Sequence, residues 1–133
     1  MASREDPIQR AIFQFLCYQY PQAVVFSVPN ELASKAGAGY SKQKQSTTIR
    51  NIQSNAKKMG MLPGMADLCM LWNGQFFAFE VKAKGNYQQA NQKDVQAAIE
   101  RNGGVYAVVR SVTDVQNVMA AHTVSVPVIG TIS

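Results

Sequence analysis

The chain has 133 residues, 47% of them hydrophobic and 16% charged, a size and balance that suit one domain, residues 1–133, with a real core. Two cysteines and one histidine exclude a disulfide framework and an ordinary zinc cluster. No apolar run reaches membrane-spanning length and the N-terminus is charged from Ser3 to Asp6, unlike a signal peptide, so a reducing intracellular setting is expected, and the formal net charge of +5 favours a polyanionic partner.

Asp6-Pro7 predicts a helix start, because Asp is a good N-cap and Pro is favoured at the first helical position. Ile8, Ala11, Ile12, Phe15 and Leu16 then recur at helical spacing and form one apolar face. Glu5 lies just ahead of this cap. Residues 23–28 are β-rich between Pro21 and Pro29 and read as a strand. Residues 32–66 hold six cations (Lys35, Lys42, Lys44, Arg50, Lys57 and Lys58) and no Asp or Glu. The first part, with Gly37 and Gly39, reads as a loop. The second reads as a helix with Ile49, Ile52, Ala56 and Met59 on one side and Gly60 as its stop. Such a run is often only a solvated face. The lack of acids, immediately before a carboxylate-bearing hairpin, points instead to a surface that contacts phosphates.

That hairpin begins at Gly64-Met65-Ala66-Asp67. Residues 68–72 and 76–82 are two apolar runs joined across Asn73-Gly74, a pair suited to a type I′ turn because both central residues need positive φ. A two-residue turn pairs Trp72 with Gln75 and places Asp67 opposite Glu80. Like charges at cross-strand positions roughly 5 Å apart destabilise a sheet. Lys82 shares the face of Glu80 by strand alternation. Two carboxylates and an ammonium therefore converge at the end of an apolar hairpin, and a bound divalent cation would turn the repulsion into a ligand set.

Lys84-Gly85-Asn86-Tyr87 reads as a turn. Residues 89–102 read as a helix with Val95, Ala98 and Ile99 inward, ended by Gly103-Gly104. Residues 105–109 read as a buried strand, and the strand–helix–strand order predicts a crossover onto the same sheet. Thr113-Asp114-Val115-Gln116 has a capping-box pattern and would start a short helix through Met119. Residues 120–133 form a tail that is strand-like from 124 to 132 but carries Pro127, as an edge strand or a partner-pairing arm would.

The order helix, strand, hairpin, helix, strand resembles the core of the PD-(D/E)XK nuclease superfamily, with Asp67 in the first acidic position and Glu80-Val81-Lys82 as the E-x-K. More closely, the chain is similar to a stand-alone VRR-NUC domain, the virus-type replication-repair nuclease family. Glu5 ahead of the first helix, residues 63–67, Phe79-Glu80-Val81-Lys82, Gln92, Gly103-Gly104 and Val108-Val109-Arg110-Ser111 carry the resemblance, which runs from about Glu5 to Met119. One departure stands out: where the family often has Pro directly before the Asp, this chain has Ala66, with its proline at Pro63.

The resemblance implies an α/β fold with a mixed four-stranded sheet flanked by helices. It also implies a Mg²⁺- or Mn²⁺-dependent endonuclease acting on branched DNA in the cytoplasm of a bacterium or phage-infected host. Small stand-alone members suggest a homodimer resolving four-way (Holliday) junctions; a monomeric flap or nicking nuclease and a non-catalytic DNA-binding subunit are the alternatives. A restriction-type enzyme is disfavoured, because so short a chain leaves no recognition domain over. Asp67 and Glu80 are the expected metal ligands from the residues themselves. The resemblance adds the Val81 backbone carbonyl and Glu5, which as a bare sequence feature is simply a carboxylate favoured near a helix N-terminus. Lys82 would orient or deprotonate the attacking water, or neutralise the phosphate, and Gln92 would sit over the site. Lys84 joins the six cations as a candidate DNA contact. Trp72 is read as core, Tyr87 as a surface or packing residue, and His122 as a surface residue near a helix end. Neither a membrane nor an organic cofactor is expected.

Overall fold

The computed structural model describes residues 3–29 and 42–123, with the side chains of the second segment described from Thr47 to His122. The elements are α1 (Glu5–Gln19), β1 (Val24–Ser27), α2 (Lys42–Lys58), β2 (Leu68–Trp72), β3 (Gln75–Val81), α3 (Ala90–Arg101), β4 (Val105–Val109) and α4 (Val112–Thr123). The strands form one sheet in the order β1-β2-β3-β4, antiparallel across the first two pairs and parallel across the last. Lys35 and residues 124–133, with the expected tail strand, lie outside the described residues. So do the side chains of Lys42 and Lys44, whose backbone begins α2. Among the described residues, no helix is long and apolar enough to cross a membrane.

The hairpin register is the one that the Asn-Gly turn dictates. Trp72 pairs with Gln75 and Leu68 with Phe79, while Asn73 and Gly74 have φ of 50° and 77°. One step beyond the last pair, Asp67 falls opposite Glu80. Alternation along β3 then sorts the sheet's two faces. Phe77, Phe79 and Val81 point to one side and pack with Ile12 and Leu16 of α1, Leu68 and Met70 of β2, Val109 of β4, and Val115 and Met119 of α4. Ala78 points to the other side, into a smaller cluster with Ala66, Cys69 and Tyr106 that Ile99 of α3 helps to cover. Glu80 shares this second face, so the topology sets it beneath α3.

Four boundaries differ from the sequence reading. First, α1 starts at Glu5 after Arg4, not after Asp6. The Ser3 hydroxyl accepts the Glu5 N–H at 3.2 Å and donates to Asp6 Oδ1 at 3.0 Å, so Ser3, one residue before the N-cap Arg4, satisfies a first-turn donor that the Arg4 side chain leaves open. Pro7 is still tolerated, because first-turn N–H groups have no intrahelical partner. Second, the inward stripe of α1 is Ile8, Ile12, Phe15 and Leu16, with Ala11 left exposed at its margin. Third, Met59 is 88% exposed rather than aligned with the half-buried Ile49, Ile52 and Ala56. At this point Met61 N–H bonds the Ala56 carbonyl at 2.8 Å and Gly60 takes φ 109°, a C-terminal wrap that turns the end of the helix outward. Fourth, α4 is capped by Ser111, whose Oγ accepts the Asp114 N–H at 3.1 Å while Asp114 Oδ2 accepts the Arg110 N–H at 2.8 Å. The helix therefore begins before Thr113 and runs past Met119 to Thr123.

Candidate active site

Local chemistry brings the site together from three directions. Gly64, at φ 87°, passes so close to the first turn of α3 that a Cβ there would lie 2.7 Å from the Asn91 carbonyl oxygen. Only glycine fits both the conformation and the gap. The contact draws the loop before β2, which carries Asp67, against the start of α3, which carries Gln92. That helix start is closed by a capping box between Gln89 and Gln92, in which the Gln89 N–H donates to Gln92 Oε1 at 2.8 Å. The cap orients the Gln92 amide so that its Nε2 donates to Glu80 Oε1 at 2.9 Å.

Glu80 is 2% exposed and is the one buried charged or polar side chain of the described core. Burial, then the nearby Asp67 carboxyl as hydrogen-bond partner and as like charge, pushes its pKa up to about 9, against the opposing pull of Lys82. The two acids therefore face each other within hydrogen-bonding reach. Asp67 is half-buried, and its Oδ2 accepts the Val81 N–H at 2.8 Å, which ties the acid to the end of β3. Its own carbonyl accepts the Val28 N–H at 2.9 Å. Asp67, Glu80, Val81 and Gln92 therefore form one connected set.

Glu5 reaches the same end of the sheet by a different route. Its Oε2 accepts the Ala83 N–H and the Asn86 Nδ2, each at 2.9 Å. Burial raises its pKa, but those two hydrogen bonds and the charges of Lys82 and Arg4 outweigh the effect and leave it lower than usual. Among the described residues, no three His, Cys, Asp or Glu side chains converge closely enough to hold a metal ion. Glu5 thus stands beside the Asp67–Glu80 pair without completing a three-acid cage. Two facing carboxylates that disfavour joint ionisation still fit a hard cation, since Mg²⁺ is commonly held by one or two carboxylates and otherwise by water.

The loop that holds Glu5 is itself held by Arg110, to which sequence pattern assigns no role. The Arg110 Nη1 donates to the Ala83 carbonyl at 3.1 Å and the Asn86 carbonyl at 2.9 Å, and its guanidinium lies 5.7 Å from the centre of the Tyr87 ring. Gly85, at φ 89°, turns the loop between them. Asn86 likewise reads only as a turn residue in the sequence. Its position just after the E-x-K is visible there, but its partner is Glu5, far along the chain.

The remaining candidates are placed as follows. Lys82 is half-buried beside the acids and lowers the pKa of both Glu80 and Glu5. Lys84 is exposed, and its carbonyl accepts Arg4 Nη2 at 3.5 Å. Arg50, Lys57 and Lys58 line one groove on α2 with Asn51, Gln53 and Ser54. Trp72 packs at the edge of the larger core, 4.8 Å from the ring of Tyr20. Tyr87 is 73% exposed, and the exposed His122 lies 6.4 Å from Phe77, ring to ring. Tyr106, on the site face, is 5% exposed, and its hydroxyl makes no hydrogen bond of good geometry among the described residues, only a loose approach to the Gln88 side chain. Burial lifts its pKa to about 12, helped by the charges of Glu80 and Asp67 and opposed by Gln88.

No protein-family model matches the sequence, and no curated protein matches it significantly. Among solved structures, the fold is similar to that of a VRR_NUC domain protein, with a TM-score of 0.59 and 17% identity over 92% of this chain and 89% of that one. The nuclease-like α/β fold expected from the hairpin and its flanking elements is thereby borne out, with a mixed four-stranded sheet and four helices among the described residues.

Proposed function

We propose that the protein is a Mg²⁺- or Mn²⁺-dependent endonuclease that hydrolyses phosphodiester bonds in branched DNA. The observation that carries this reading is the buried Glu80 carboxyl facing Asp67, with Gln92 bonded to it and Lys82 beside it. A sheet built only for stability would not keep that pair, because like-charged neighbours and buried unpaired acids both cost free energy. The similar fold of a VRR_NUC domain protein supports the same reading.

Asp67 and Glu80 would hold the cation, with the Val81 carbonyl at the strand end and Glu5 at its margin. When bound, a divalent cation lowers the pKa of water and neutralises phosphate charge. The protein residues do the positioning. Gln92 fixes the rotamer of Glu80, and the Val81 N–H fixes Asp67 through one carboxyl oxygen. Lys82 supplies a positive charge where the attacking water and the phosphate would meet, and would orient that water or neutralise the phosphate. Arg50, Lys57, Lys58 and Lys84 give a phosphate-contacting surface, to which Lys35, Lys42 and Lys44 belong by sequence. Resolution of four-way junctions by a homodimer is the finer form of the proposal, since a two-fold pair would present two sites to symmetric strands.

The test is a panel of four-way junctions, flaps and linear duplexes with Mn²⁺ or Mg²⁺, beside a sizing column. Branched DNA should be cut. Glu80→Gln should lower the rate by about 100-fold or more while DNA binding stays intact. Wild-type protein that binds these DNAs but leaves all of them uncut would make this a non-catalytic binding subunit, and cleavage by a species of monomer size would make it a flap or nicking nuclease.

A further inference from the structure

A groove of about 370 Å³ lies between α1 and the sheet edge, lined by Asp6, Gln9, Arg10 and Phe13 of the helix, Ser27 of β1 and Leu68 of β2. The roles proposed above use none of these six side chains. Each wall adjoins in sequence a residue at the acidic end of the sheet, with Leu68 turned to the α1 face by strand alternation and Glu80 to the opposite one. Asp6 follows Glu5, Leu68 follows Asp67, and Ser27 precedes Val28, whose N–H bonds the Asp67 carbonyl. On α1 the lining residues recur three and four apart, so they form one stripe running roughly 10 Å from the site end.

The lining has a mixed chemistry. Leu68 is a buried apolar floor, and Phe13 is 40% exposed although its neighbour Ile12 is fully buried. Around these sit an amide (Gln9), a guanidinium (Arg10), a hydroxyl (Ser27) and a carboxylate (Asp6). A flat apolar ring with donors and acceptors at its rim matches that set. A phosphate does not, because Asp6 would repel it. An aromatic face also stacks on any base, whatever its sequence.

We propose that this groove takes one unpaired nucleobase of a DNA strand that passes round the acidic end of the sheet, with Phe13 as the stacking face. The inference rests on the DNA-cleaving reading of the site and deepens it. A base inside a duplex is not available to the groove without being turned out of its stack, which costs free energy. A base at a junction, flap or gap is already free. The groove thus gives the chain a physical reason to prefer branched DNA without any groove-reading helix.

The experiment uses Glu80→Gln protein, which should bind without cutting, and branched DNA carrying 2-aminopurine at successive positions around the branch. One position should change fluorescence on binding. Phe13→Ala should abolish that change and weaken binding to branched DNA by about tenfold, and Phe13→Trp should restore it. An abasic site at the same position should weaken binding by a similar factor, with no further weakening when combined with Phe13→Ala. Thermal melting separates a folding defect from this effect, since Phe13 is partly exposed. If no position responds, or if Phe13→Ala weakens fully paired duplex equally, or if the two effects multiply, the groove is not a base site, and docking of a protein segment becomes the reading of that face. Cleavage with no responsive base overturns this inference alone. A responsive base without any cleavage overturns the catalytic reading alone.

Discussion

Glu80 carries opposite demands in the folded and unfolded chain. Folded, it keeps its proton to about pH 9, mainly because burial disfavours its charge; unfolded, it releases it near the ordinary value of 4.5. Between those limits the folded state binds the extra proton. The stability of the protein in a chelator should therefore fall as pH rises through that window, and the fall ends once the folded acid also ionises. Glu80→Gln removes the titrating group while keeping its shape, so its melting temperature should decline less from about pH 5 to about pH 9. Thermal scans of both proteins in chelator check this, and parallel curves would mean that Glu80 is charged in the fold. Residues of this kind are legible in the sequence. Strand alternation and a two-residue turn fix the Asp67–Glu80 pairing and the face of Lys82. Asn86 and Arg110 are not legible, because their partners are set by tertiary packing: Asn86 binds Glu5, and Arg110 binds two carbonyls of a loop on another strand's exit. A turn residue and a strand-end cation give no local pattern to betray such contacts.

At the scale of elements, the loop between β3 and α3 is the joint between α1 and the sheet. It offers Glu5 a backbone N–H and an amide, and Arg110 closes it from β4's end. Burial raises the Glu5 pKa, but those hydrogen bonds and the neighbouring cations outweigh it and hold the group below its usual value. Asn86→Ala removes the bond that contributes most to the lowering. A carboxyl with a depressed folded pKa stabilises above its unfolded value and stops contributing as pH falls through the folded one. Asn86→Ala should thus melt below wild type at neutral pH, and the gap should close as pH drops beneath about 4.5, the ordinary value for Glu. Urea melts at neutral and acid pH measure it; a gap of equal size at both would show that Asn86 acts through loop packing alone. The elements themselves are readable from periodicity and turn residues, and the differences fall at their ends. Ser3 and Ser111 accept first-turn N–H groups of α1 and α4, whereas Asp6 and Thr113 look equally suitable by type. Several Ser, Thr and Asp residues near a helix start compete for one role, and only the path of the preceding chain decides among them.

Across the whole molecule, charge is segregated. All eight Asp and Glu residues fall outside residues 32–66, which hold six of the thirteen Lys and Arg. The sheet order follows from hairpin and crossover rules, but the relation of this basic stretch to the acidic site does not, since solvent-exposed cations have no packing signal. If α2 meets DNA, it does so through phosphates, and neutralising phosphates releases counterions. Arg50, Lys57 and Lys58 lie together along one groove of that helix. Changing all three to Gln should make the slope of log K against log salt shallower by about 0.9 for each duplex phosphate no longer neutralised, or about 2.7 if all three engage. Binding should weaken similarly for junctions, flaps and plain duplex, because backbone contacts position a protein without specifying its substrate. Phe13→Ala should do the reverse, changing the preference among DNA structures while leaving the salt slope alone. Fluorescence anisotropy titrations at several salt concentrations measure both quantities. An unchanged slope in the triple variant would make α2 a solvated face, and would leave Lys84 and the cations of residues 32–44 to account for the affinity.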